Sequence, residues 1–124
     1  MNNIPLKNDQ TYYVDFHCHT SLSDGSCTAR ELIERAIAEN PEAIMILALT
    51  DHNTLPENFA QLQELFKDQL ILHIGTEVST TYQIPRTGRK LEIHINAIDY
   101  RLDSECFIAL LRRNQHDKKA YVEE

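Results

Sequence analysis

The run Ile44-Met-Ile-Leu-Ala-Leu49 constrains the fold more than any other segment. A strand with one wet face alternates polar and apolar residues. An unbroken apolar run therefore reads as a strand covered on both faces, the habit of parallel sheets. Its flanks agree. Upstream, Thr28-Ala-Arg-Glu31 is a capping box, followed at helical spacing by Leu32, Ile33, Ala36 and Ile37. That helix is expected to stop at Asn40, because Pro41 disfavours helical geometry in the residue before it. Downstream, Thr54-Leu-Pro-Glu57 is a second capping box with proline near the expected helix start, and Phe59, Leu62, Leu65 and Phe66 supply a buried stripe.

The remaining elements follow from the same signals. Residues 12–19 read as a first strand and 70–74 as a third, extendable to 78. Arg86-Thr-Gly-Arg89 reads as a turn and residues 91–98 as a fourth strand. Asp103 is expected to cap a last helix bearing Phe107, Ile108, Leu110 and Leu111, whose charged end, 116–124, is expected to fray. The order β-α-β-α-β-β-α implies an α/β fold, a mainly parallel sheet with helices outside it. At 124 residues without repeats, the chain is expected to form a single domain, 1–124.

Bulk properties narrow the function. No apolar run approaches a membrane span, and the polar first ten residues lack a signal core. Cys18, Cys27 and Cys106 form no CxxC pair, which suggests free thiols and a cytoplasmic protein. A net charge of -7 argues against binding long duplex nucleic acid. It leaves phosphorylated substrates open, since bound cations reverse the local field.

The chemistry-bearing residues gather where strands end. In Asp15-Phe-His17-Cys-His19, alternation places Asp15, His17 and His19 on one strand face and Val14, Phe16 and Cys18 on the other, so Cys18 reads as core. Asp24 follows in a loop as an oxygen donor, with Gly25 allowing a tight turn. His52 stands after the second strand, Glu77 at the end of the third, and His94 on the fourth, on the face of Glu92 and Asn96. His and carboxylate groups at successive strand ends occupy the rim where α/β folds build their sites. His73 reads as structural, and His116 as solvated. Arg86, Arg89 and Lys90 offer cations for a substrate phosphate, against the plainer reading of a solvated turn.

At this point the chain resembles the PHP (polymerase and histidinol phosphatase) superfamily, nearest its stand-alone phosphoesterases. Asp15-Phe-His17-Cys-His19-Thr-Ser-Leu-Ser-Asp24-Gly25 resembles the first motif of that family, Leu49-Thr-Asp51-His52-Asn53-Thr54 the second, and Gly75-Thr-Glu77-Val-Ser and His94 the next two. The resemblance implies the N-terminal half of a distorted (β/α)7 barrel. It implies a first metal on His17, His19 and Glu77, a second on Asp24 and His52, and a third site joining Glu77 to His94. Asp51 and Asp15 would orient the ligating histidines. The implied activity is hydrolysis of phosphate esters, of nucleotides or short RNA, by a metal-activated water. Two or three divalent ions are implied in a complete site. The mixed nitrogen and oxygen donors suit Zn, Mn or Fe better than Mg.

The family's later motifs add a histidine and an Asp-x-His pair, and no Asp-x-His follows His94. The chain is thus expected to be a truncated PHP domain. Its alternative role is a non-catalytic metal-binding or interaction module. Half a barrel would expose sheet edges, so a chain complete in itself is expected to form homo-oligomers.

Overall fold

The computed structural model describes residues 6–123, with side chains described for 6–116. Its elements run β1 (Thr11–Cys18), α1 (Ala29–Glu39), β2 (Ala43–Leu49), α2 (Phe59–Leu65), β3 (Leu70–Gln83), β4 (Lys90–Ile98) and α3 (Glu105–Glu123). The expected element order is the observed one. The strands form one sheet in the order β1-β2-β3-β4. β1, β2 and β3 pair in parallel, and β4 returns antiparallel to β3.

The sheet has one face covered by helices, and on the other Ala48 and Ile71 are still buried, as expected of a strand pair built on β2. Met45, Leu47 and Leu49 of β2 stand in register with Leu70, Leu72 and Ile74 of β3. Together with Ile33 of α1 and Leu62 of α2, the first five of these form the buried cluster. Parallel neighbours in register share a face, so this row carries both helices. The opposite face holds Ile46, Ala48, Ile71 and His73 and forms the concave side of a half-barrel. Its β1 members, Val14 and Phe16, are 54% and 42% exposed.

Helix α1 starts as its capping box dictates, with the Thr28 hydroxyl accepting from Glu31 N at 3.2 Å. It ends at Asn40, whose side-chain amide donates to Ala36 O. The second capping box does not form. Helix α2 begins at Phe59 after Asn58 in the left-handed region (φ 56°), with no side-chain cap. The reason lies in Thr54, whose hydroxyl instead donates to His52 O at 2.7 Å and whose N–H donates to Thr76 Oγ1. That threonine anchors the segment after His52 rather than opening a helix.

Two further expectations change. Strand β3 runs to Gln83, because β4 supplies a second ladder from Gly75 onwards. Glu77 therefore lies mid-strand, not at a strand end. At the last helix, Asp103 pairs with Arg101, and the Ser104 hydroxyl accepts from Phe107 N instead. The expected fraying over 116–124 falls on residues that lie, from 117 on, outside those whose side chains are described.

Because Ile33 has no exposed surface, an Ile33→Ala variant is expected to lose about 2–5 kcal/mol of folding stability in urea titrations. A loss under about 1 kcal/mol would mean the core is not centred there.

Candidate metal centre

The site begins with an irregularity in β1. Thr11 to Asp15 pair in step with Ala43 to Leu47, but Cys18 pairs with Leu49, leaving two β1 residues opposite one on β2. This bulge overturns the expected alternation. Asp15 and Cys18 now share the α1 side of the sheet, and Phe16 faces the concave side, edge-on to the His73 ring at 5.5 Å. Asp15 Oδ1 accepts from His17 N at 3.0 Å and so holds the bulge. Bulges re-aim side chains, and here the result is that the rings of His17 and His19 come within 5.1 Å. Asp15 thus acts on the backbone of His17, not on a ring. Cys18 packs against the core. Burial, followed by the nearby Asp15 charge, pushes its thiol up to about 12.

The loop after β1 hangs on one buried carboxylate. Asp51 accepts from Thr20 N at 2.6 Å, Thr20 Oγ1 at 2.7 Å and Ser23 Oγ at 2.6 Å. It was expected to orient a histidine; its described hydrogen bonds go to this loop, which carries Asp24. Gly25 closes the same loop, donating its N–H to Thr20 O. A side chain there would stand 2.4 Å from His19 O, which explains the glycine by close approach rather than by a positive φ.

His52 reaches the rim because the backbone past β2 keeps pairing with β3. Glu77 N donates to Asp51 O, and Asn53 N donates to Glu77 O. Asn53 adopts φ 50°, which asparagine tolerates. Its Oδ1 accepts from Ser79 N and from Asn114 Nδ2, tying α3 to the rim. Thr20, Ser23, Asn53 and Asn114 were not among the sequence candidates. Asn53, directly after Asp51-His52, was the one with a readable signal.

These elements bring together all six expected ligands. Glu77 is 5% exposed and lies at the centre. Its Oε1 is 3.1 Å from His17 Nε2 and 3.9 Å from His94 Nδ1; its Oε2 is 3.4 Å from His19 Nε2 and 2.8 Å from His52 Nδ1. Asp24 lies 3.2 Å from His19 Nδ1 and 3.0 Å from His52 Nε2. His19 and His52 stack at 4.5 Å. Glu92 holds the far nitrogen of His94 at 3.1 Å. Loss of solvation tends to raise the Asp24 carboxyl, but the hydrogen bond and charge of His52, with the charge of His19, hold it below its usual range.

Three overlapping triads result: His17, His19 and Glu77; His19, Asp24 and His52; His52, Glu77 and His94. The inner residues His19, His52 and Glu77 each belong to two triads, and the outer residues His17, Asp24 and His94 to one. The donor set fits divalent cations. His19 Nδ1, His52 Nδ1 and Glu77 Oε2 are buried without a hydrogen bond. His52 Nδ1 and Glu77 Oε2 touch at 2.8 Å, yet not at a hydrogen-bond angle. Buried polar atoms left this way are costly unless something else pairs with them.

Other candidates lie elsewhere. Arg86 and Arg89 sit in the β3–β4 turn, about 20 Å of strand beyond Glu77, too far for direct contact with the cluster. His73 pairs with Asp99 at 2.9 Å, in keeping with a structural role. His116 is exposed. Among the described residues, no helix is long and apolar enough to cross a membrane.

Replacing Asp51 with Ala strands three donors, two of them on the buried Thr20. A loss of about 3 kcal/mol in thermal or urea unfolding is expected, together with weaker divalent binding as Asp24 loses its anchor. Unchanged stability would show that the loop does not depend on this carboxylate.

Comparison with known proteins gives the same picture. The family model described as the PHP domain matches residues 15–122. The 5'-3' exoribonuclease Rnm of Escherichia coli is 31% identical over 116 residues, covering 86% of this chain and 36% of that protein. The 5'-3' exoribonuclease of Haemophilus influenzae is 31% identical over 98 residues, covering 79% and 32%. A structure described as a metal-dependent phosphoesterase, from Bifidobacterium adolescentis, superposes with a TM-score of 0.62 at 26% identity, over 85% of this chain and 33% of that one. An amidohydrolase from Chromobacterium violaceum, with bound sulfate and no metal, gives 0.63 at 30% identity, over 81% and 32%. The chain spans about a third of the length of these relatives. With the family model covering most of its residues, and the half-barrel carrying the His-and-carboxylate rim, this chain belongs to the PHP family.

Proposed function

We propose that this chain carries the principal metal-binding rim of a phosphoesterase that hydrolyses phosphate esters of nucleotides or short RNA. The observation that carries this reading is the set of three buried, unbonded donor atoms inside overlapping ligand triads. The relatives, named as exoribonucleases and a metal-dependent phosphoesterase, support the substrate class.

The lone pairs set a limit on the arrangement. A neutral imidazole has one lone pair, so His19 and His52 each serve one ion, whereas a carboxylate can serve two. Assigning His19 to the first triad leaves Asp24 and His52 as one donor pair, and Glu77 with His94 as another. The chain then offers one three-donor site and two two-donor sites, and Glu77 joins the first to the last. Mixed imidazole and carboxylate donors favour Zn, Mn or Fe.

Ions held there would supply positive charge for the phosphate oxygens and a water of lowered pKa. The chain's residues do the positioning. Asp15 fixes the His17 backbone, Asp51 the Asp24 loop, and Glu92 the His94 ring. His17, Asp24 and His94 are the exposed members of the cluster, where a phosphate ester would approach.

The test is hydrolysis of p-nitrophenyl phosphate and of a 5'-phosphorylated trinucleotide at saturating Mn2+. Chelation is expected to abolish turnover, Mn2+ or Zn2+ to restore it, and Glu77→Gln to reduce it about a hundredfold or more. Turnover indifferent to chelator would contradict the reading. Ion binding without turnover would favour the alternative of a metal-binding or association module, for which the exposed Val14 and Phe16 on edge strand β1 would be the contact surface.

A further inference from the structure

The β3–β4 hairpin outruns the rest of the sheet. β2 ends at Leu49, level with Ile74, and the backbone after it pairs with β3 as far as Glu77. Beyond the Asn53 and Asn114 contacts at Ser79, β3 continues to Gln83 with β4 as its strand partner. This arm rises from the metal rim and has two unlike faces. In register on the side of Glu77 stand Glu77 with Asn96, Ser79 with His94, Thr81 with Glu92, and Gln83 with Lys90. On the other side stand Val78 with Ile95, Thr80 with Ile93, and Tyr82 with Leu91. The cluster side is wholly polar, and it ends in Lys90, Arg86 and Arg89 at the tip.

The tip is built rather than frayed. Ile84 N donates to Arg89 O, Gly88 N donates to Ile84 O, and Gly88 supplies the positive φ of 69°. None of the three cations pairs with a carboxylate among the described residues, unlike Arg30, Lys67 and Arg101. The acidic member of the track, Glu92, is engaged with His94. In a chain of net charge -7, three cations at the end of a polar strip leading from the candidate centre call for a polyanion.

We propose that the cluster-facing side of this arm is a track for the backbone of a single-stranded oligonucleotide. Its phosphates, several nucleotides from the one at the metal rim, meet Lys90, Arg86 and Arg89. The Thr81 hydroxyl offers a hydrogen bond along the way, with what remains of Ser79, whose hydroxyl accepts from Asn53 Nδ2, and of Gln83, whose amide donates to Gly88 O. The inference rests on the phosphoesterase reading for its direction, but its test does not need turnover. It makes the arm a gauge of substrate length: a mononucleotide ends before the tip, whereas an oligonucleotide reaches it.

The experiment is fluorescence anisotropy with a labelled single-stranded RNA twelve-mer and with a labelled mononucleotide, in EDTA, across a salt series. The triple variant Arg86→Gln, Arg89→Gln, Lys90→Gln is expected to bind the twelve-mer about tenfold or more weakly. Its log-log salt slope should be shallower by about two. Mononucleotide binding and Mn2+ uptake, measured separately in chelator-free buffer with added Mn2+, should stay at parental levels. Thr81→Glu, on the track, should also weaken twelve-mer binding, and Thr80→Glu, on the opposite face, should not. A parent that does not bind the twelve-mer, a triple variant that binds it equally well, or equal effects at positions 80 and 81 would overturn the track. Loss of Mn2+ uptake by the parent would instead overturn the phosphoesterase reading and leave the track standing.

Discussion

A carboxylate buried among four imidazoles dominates this structure. Glu77 is 5% exposed, and nitrogens of His17, His19, His52 and His94 lie 2.8 to 3.9 Å from its oxygens. Taking a charge out of water costs several kcal/mol unless partners compensate. The backbone on both sides is arranged to hold the group there. Its N–H donates to Asp51 O, and its carbonyl accepts from Asn53 N. The bulge in β1, the segment that keeps pairing past β2 and the returning strand β4 each deliver nitrogens to this one residue, and the loop hung on Asp51 adds the Asp24 carboxylate to two of those histidines. The rim is in this sense a single unit, and the covered core beneath it is the platform that keeps the strands in register.

The element order and the identity of the gathering residues were legible because they depend on local rules. Apolar periodicity marks Ile33 and Leu62, and the apolar run marks β2. The Thr28 cap and Pro41 bracket α1. All six candidate ligands meet: His17, His19, Asp24 and His52 gather at the ends of β1 and β2, and Glu77 and His94 reach the same rim from within the longer β3–β4 ladder. What escaped depends on tertiary contacts. The bulge that separates Asp15 from His19 leaves no trace in the alternation of residues. Thr54 and Asp103 look like caps in sequence but bond elsewhere, to His52 and Arg101. Asp51 spends its carboxylate on Thr20 and Ser23, a choice set by where the loop falls. Glu77 appeared to close a strand, since nothing local announces that β4 will extend β3.

The half-barrel also divides the surface by role. Its convex face is sealed by α1 and α2, while the concave face keeps Val14 and Phe16 in solvent. The relatives are about three times longer, and the later motifs implied by the resemblance would add donors to the two two-donor sites. Because His19 and His52 are each shared by two triads and each imidazole has one lone pair, the three triads cannot all be filled from this chain; with His19 assigned to His17 and Glu77, that triad keeps three donors.

Metal stoichiometry and position test this account most directly. The protein is stripped with chelator, reloaded with Zn2+ or Mn2+, and the ions are counted and located by anomalous scattering. The account predicts one tightly held ion per chain, seated among His17, His19 and Glu77. No bound ion, or a sole ion between Asp24 and His52, would contradict it.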